Sequence, residues 1–100
     1  MSNWQTAFPD YPATEMVGVP DGFIDTSWEN DICPSFTSDV LGLTIWVDYP
    51  HAADREYPEW ARFRVTPQDH GVETSGEGLE ADDWSEVLAF IAARTLSDES

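Results

Sequence analysis

The chain contains no lysine, and its four arginines face twenty aspartates and glutamates, for a formal net charge of -16 over 100 residues. A protein that grips phosphates needs clustered basic side chains to displace counterions. Direct binding to DNA, RNA or an anionic membrane surface is therefore not expected. Cysteine is nearly absent as well. Cys33 stands alone, which excludes an internal disulfide or a multi-cysteine zinc site and agrees with a reducing compartment, where it reads as a buried thiol. No apolar run approaches the roughly 18–20 residues of a membrane span. The segment Met1 to Asp10 lacks the basic and apolar blocks of a secretion signal. A cytoplasmic protein with no membrane partner is expected.

What is present suffices to fold. Hydrophobic residues make up 41% and aromatics 13%, too many for a chain kept disordered by its charge. One domain over residues 1–100 is expected, burying roughly 60–70% of its unfolded surface. The charge is no tail: residues 1–50 hold eight acids and no arginine, and residues 51–100 hold twelve acids and four arginines, so each half carries -8. A small domain is soluble at a net charge of about 2–8 in magnitude. The excess opposes a fold whose whole stability is about 5–15 kcal/mol, and so calls for a use.

Prolines and glycines (Pro9, Pro12, Gly18, Pro20, Gly22) break residues 1–31 into an irregular arm, anchored by Trp4, Phe8, Tyr11, Phe23 and Trp28. A short edge strand over Met16–Val19 would end at Pro20. Residues 32–76 predict antiparallel strands. Leu43, Ile45, Val47 and Tyr49 alternate with Thr44, Trp46 and Asp48, and Phe63 and Val65 with outward Arg62 and Arg64. Ser35–Thr37 and Val72–Thr74 are shorter candidates, the second following a turn at Asp69–Gly71. Residues 50–60 form a polar connection. The spacing of Trp84, Val87, Leu88, Ile91 and Leu96 predicts a helix over 83–96, opened by Asp83-x-x-Glu86 in the manner of a capping box. The expected fold is α+β: an antiparallel sheet of three to four strands packed against one C-terminal helix, with an irregular N-terminal arm.

No motif supports catalysis. Cys33, His51 and His70 lie on separate segments without the spacing of a zinc site or a nucleophile–base pair. Close carboxylates are inevitable with twenty acids. The loop Asp25–Asp31 fails the calcium register at Trp28 and reads as acids that cap turns. Gly76 and Gly78 have no lysine beside them for a phosphate loop. Neither enzyme activity, nor a metal, nor a cofactor is expected. The densest acidic patch is Glu73, Glu77, Glu80, Asp82, Asp83 and Glu86. The last three sit at a helix start, where the dipole favours each by about 0.3–1 kcal/mol. The first three have no such reason, and the six together form the candidate partner-binding face. Tyr57 and Trp60 are either partner anchors or folded back over a sheet edge; folding back is the expectation.

In size, acidity and lack of catalytic residues the chain resembles the small acidic inhibitors of phages and mobile elements, including DNA-mimicking anti-CRISPR proteins. The resemblance is one of class and carries no motif, so it assigns no residue and no fold. It implies a non-enzymatic inhibitor that binds a basic, nucleic-acid-binding protein and blocks its nucleic-acid site. The chain is equally similar to acidic immunity proteins that neutralise basic nucleases. Adaptation to high salt, with no role connected with nucleic acid, is the alternative that zero lysine also suits.

Overall fold

Leu43, Ile45 and Val47 alternate with Thr44 and Trp46, and in the computed structural model these five residues form β3 (Leu43–Val47), the centre of an antiparallel sheet. The structure describes residues 3–28, 31–69, 72–73 and 78–99. Around β3 the chain order adds α1 (Asn3–Ala7), β1 (Ile24–Asp25), β2 (Ser35–Ser38), β4 (Phe63–Asp69), β5 (Val72–Glu73), β6 (Leu79–Ala81) and α2 (Trp84–Glu99). The spatial order is β1-β2-β3-β4, and the outer edge of β4 is shared: β6 pairs with Phe63–Val65, β5 with Gln68–Asp69. The architecture is α+β, as its alternation and terminal helix predict. The expected three to four strands become six, and two of them, β1 and β6, lie outside residues 32–76. At two and three residues, these strands are too short to show a period of two.

The register sorts side chains onto two faces. Phe36, Ile45 and Val65 pair in one row, Val47, Phe63 and Ala81 in another, and both rows are buried. Ser35, Trp46, Arg64 and Glu80 form a row on the opposite face. Two glycines make the pairings possible. Gly42, at φ +66, closes the turn from β2 to β3 in a conformation that a side chain resists. A Cβ on Gly78 would lie 2.5 Å from the Val65 carbonyl oxygen, so β6 can approach β4 only without one.

The helix covers β4 and β6 with Val87, Ile91 and, partly, Trp84 and Phe90. Leu88, expected in that stripe, is 41% exposed. At about 100° per residue, Phe90, Val87, Ile91 and Trp84 span one arc, and Leu88 falls on its flank. Asp83 caps the helix: its Oδ1 accepts the Ser85 amide at 3.1 Å and its carbonyl accepts the Glu86 amide at 3.1 Å. The helix runs to Glu99, three residues past the expected end.

The arm is more ordered than expected, with α1, a 3-10 turn at Ala13–Glu15, and β1. Met16–Val19 is not a strand. Met16, Val17 and Val19 pack against the core instead, alongside Trp4 and Phe23 and next to buried Phe8 and Tyr11. Trp28, expected to anchor the arm, is 58% exposed. Arg62, expected to point outward beside Phe63, precedes β4 and turns back to hold the arm. Its Nη2 donates to the Glu15 carbonyl at 2.7 Å and to Tyr11 Oη at 3.2 Å, and its Nε donates to the Asp48 carbonyl at 3.4 Å. Tyr11 Oη donates to the same carbonyl at 3.0 Å, and Tyr49 Oη to Asp10 at 2.8 Å.

Candidate functional site

Four of the six predicted acids come together. Glu80 on β6, Asp82 and Asp83 in the β6–α2 connection, and Glu86 in the first turn of α2 line one open hollow of about 670 Å³ together with Arg62, Phe63, Ala81 and Trp84. All four are exposed. Asp83 is held by capping and Asp82 by accepting the Arg62 main-chain amide at 3.0 Å. Glu73 sits on β5, which pairs with β4 at Gln68, away from the β6 pairing. Glu77 lies outside the described residues.

The arginines decide how negative this surface stays. Arg55 donates to three carbonyls: Nε to Tyr49 at 2.7 Å, Nη1 to Trp60 at 3.0 Å and Nη2 to Pro50 at 3.2 Å. Arg62 serves Glu15, Asp48 and Tyr11, with its guanidinium 4.8 Å from the centre of the Phe63 ring. Arg64 lies 4.6 Å from the Trp60 ring and 5.7 Å from the Trp46 ring. The donors of Arg55 and Arg62 thus go to main chain and one tyrosine, while the Arg64 guanidinium lies against aromatic rings, opposite Glu80 across the β4–β6 pair. Among the described residues, Glu80, Asp82, Asp83 and Glu86 have no guanidinium partner.

The face of the sheet opposite the helix is polar. Thr26 Oγ1 is 3.0 Å from both Ser35 Oγ and Thr37 Oγ1, Thr37 Oγ1 is 3.1 Å from Thr44 Oγ1, and Trp46 Nε1 donates to Thr66 Oγ1 at 3.1 Å. Beside this hydroxyl ladder runs an aromatic one, in which Tyr57 stacks on Trp60 at 4.2 Å and 23°, and Arg64 links Trp60 to Trp46. Trp60 therefore folds back onto the sheet, while Tyr57 stays 41% exposed. Trp60, Arg64 and Glu80 line a second hollow of about 500 Å³, so Glu80 joins the acidic and aromatic surfaces.

The groups considered for catalysis are dispersed. Cys33 is 1% exposed, and burial, with Asp48 nearby, pushes its thiol up to about 12. That is the wrong direction for a nucleophile at neutral pH. His51 is exposed, and His70 falls outside the described residues. Asp25 behaves as a turn cap, accepting the Trp4 and Ser27 amides at 2.9 and 3.0 Å. No group of three potential metal-ligating side chains occurs among the described residues. Asp48 was not anticipated as a core acid; it is 4% exposed and accepts the Tyr49 amide at 2.8 Å, and burial raises its carboxyl above the usual range despite Arg55 and Arg64. Arg55 was missed as a loop clamp, and no local sequence signal marks it. The position of Arg64 opposite Trp46 was implicit in the alternation of the two strands. No described helix is long and apolar enough to cross a membrane. Comparison with protein-family models, with curated proteins and with solved structures yields no match.

Proposed function

We propose that the chain is a non-enzymatic acidic inhibitor that binds a basic, nucleic-acid-binding protein and occupies its nucleic-acid site. The observation that carries this reading is the internal use of Arg55, Arg62 and Arg64. Arg62 lines the β6–α2 hollow and Arg64 stands opposite Glu80. Their guanidiniums are engaged with carbonyls, a tyrosine and rings rather than ion-paired with these exposed carboxylates, so four acids outnumber the cations beside them. A surface of that kind complements a Lys/Arg-lined groove, and complementary fields speed association and make it sensitive to salt. Glu80, Asp82, Asp83 and Glu86 are the proposed contact acids, standing where phosphates would stand in the partner's groove.

The test starts from protein immobilised in host extract at low salt, followed by nucleic-acid binding assays on each captured protein with and without the chain. The expected result is a captured basic protein that releases its nucleic acid when the chain is added. The E80Q/D82N/D83N/E86Q variant, which keeps the hydrogen-bonding shapes at Asp82 and Asp83, should lose both effects. Capture of no nucleic-acid-binding protein, or capture that leaves its nucleic acid in place, overturns the reading. A captured nuclease whose cleavage stops would narrow the role to immunity against a toxin.

A further inference from the structure

The connection between β3 and β4 is long and polar, yet it is tied down at several points. Arg55 ties its two ends together, reaching the carbonyls of Tyr49, Pro50 and Trp60 with one guanidinium. Trp60 N–H closes a turn onto the Tyr57 carbonyl at 3.0 Å. The result is a ladder of planar groups in fixed order, Tyr57, Trp60, Arg64 and Trp46, with Tyr57 at its exposed end. The charge of Arg55 faces inward, whereas the neighbouring Asp54, Glu56 and Glu59 are exposed. The outer end of the ladder is therefore an exposed aromatic ring, held by its stack on Trp60, in a segment whose acids Asp54, Glu56 and Glu59 all meet solvent.

We infer that this outer Tyr57 face is an anchor for arginine side chains of a basic protein partner. A guanidinium stacks on an aromatic plane and takes carboxylate oxygens in its own plane at the same time. The exposed Tyr57 ring offers the plane, and the exposed Glu56 and Glu59 on the same segment supply the charge that draws a cation there. An incoming arginine would continue the alternation that Arg64 already makes with Trp60. The clamp by Arg55 lowers the ordering cost of binding, since the loop need not be fixed on contact. This inference rests on the proposal of a basic partner and adds to it a second contact region, continuous with the acidic hollow through Glu80, that distinguishes arginine from lysine. A lysine ammonium, strongly hydrated and without a plane, gains less at such a site.

The experiment uses the full chain at low salt, titrated with a short polyarginine peptide and a length-matched polylysine peptide and followed by calorimetry. Wild type should bind polyarginine about two- to fivefold more tightly than polylysine, the size expected of an exposed cation–aromatic contact. Tyr57→Ala should abolish that preference and Tyr57→Phe, which keeps the plane, should retain it. E80Q/D82N/D83N/E86Q should weaken both peptides alike while leaving the preference in place. Equal affinity for the two peptides, or a preference that survives Tyr57→Ala, overturns the anchor and leaves the acidic-hollow proposal standing. Failure of both peptides to bind overturns both proposals.

Discussion

At the residue scale, a few side chains act through where their polar atoms end. Arg62 bridges the arm and the sheet by satisfying Glu15, Tyr11 and Asp48 together. Replacing it with methionine leaves the apolar stem but strands those oxygens. Hydrogen bonds from charged groups contribute about 1.5–3 kcal/mol each at most, and the arm is partly held by Phe8 and Tyr11, so a loss of about 2–4 kcal/mol is expected in urea unfolding. Amides of the arm should also exchange faster than those of β3, and equal protection in the variant would contradict this bridging role. Cys33 makes a simpler case. Buried and with its thiol raised to about 12, it should resist a thiol reagent at pH 8 in the native protein and react at once in denaturant. Rapid native labelling would show that this site opens. The buried Cys33 thiol was legible in the sequence, and the Arg62 bridge was not. Arg62 reads as an outward residue, because its neighbours in the arm are forty-seven and fifty-one positions away.

At the element scale, the helix and the two central strands were legible, and the short strands were not. Five residues of β3 and seven of β4 give enough alternation to read, and α2 repeats its apolar positions over several turns. The limits appear at the edges of these patterns. Leu88 fits the spacing i, i+4 from Trp84 but lies on the flank of the arc that Val87 and Ile91 bury. Ile91→Ala should therefore cost about 2–5 kcal/mol, in the range of buried large-to-small changes, whereas Leu88→Ala should stay within about 0.5 kcal/mol as a surface change. Chemical denaturation of the pair decides it; similar losses would place Leu88 in the core. Gly78→Ala tests the β4–β6 contact, since its Cβ would meet the Val65 carbonyl oxygen. The expected outcome is a lower midpoint together with loss of exchange protection at Leu79–Ala81.

At the scale of the whole molecule, charge sets how stability responds to solution conditions. Burial raises the carboxyls of Asp48 and Asp31 above the ordinary aspartate value of about 3.9. Each binds its proton more readily in the folded chain than in the unfolded one, so stability falls as pH rises between the unfolded and folded values and is recovered as pH falls through that window. Relief of repulsion among twenty acids acts in the same direction. The melting temperature should therefore rise as the pH falls from neutral toward the ordinary aspartate value of about 3.9, and rise on adding salt at neutral pH through screening. A melting temperature that drops steadily on acidification would indicate that native carboxylates rely on charge partners. A chain folded only in molar salt would favour a saline habitat over a basic partner as the origin of its acidity.

The sequence by itself determined that the chain folds, that the fold pairs an antiparallel sheet with a terminal helix, and that the negative charge is spread along it. Composition and periodicity are local properties, and no rearrangement in space alters them. Tertiary structure decided which groups meet: that Glu80, Asp82, Asp83 and Glu86 share one hollow, that Arg55, Arg62 and Arg64 turn to carbonyls and rings, and that Trp60 carries Tyr57 to the end of an ordered ladder. Those outcomes depend on contacts between residues far apart in the chain. Whether a charge is compensated is likewise a property of its neighbours in space, and twenty acids with four arginines left every pairing open until the sheet register and the path of the arm were fixed.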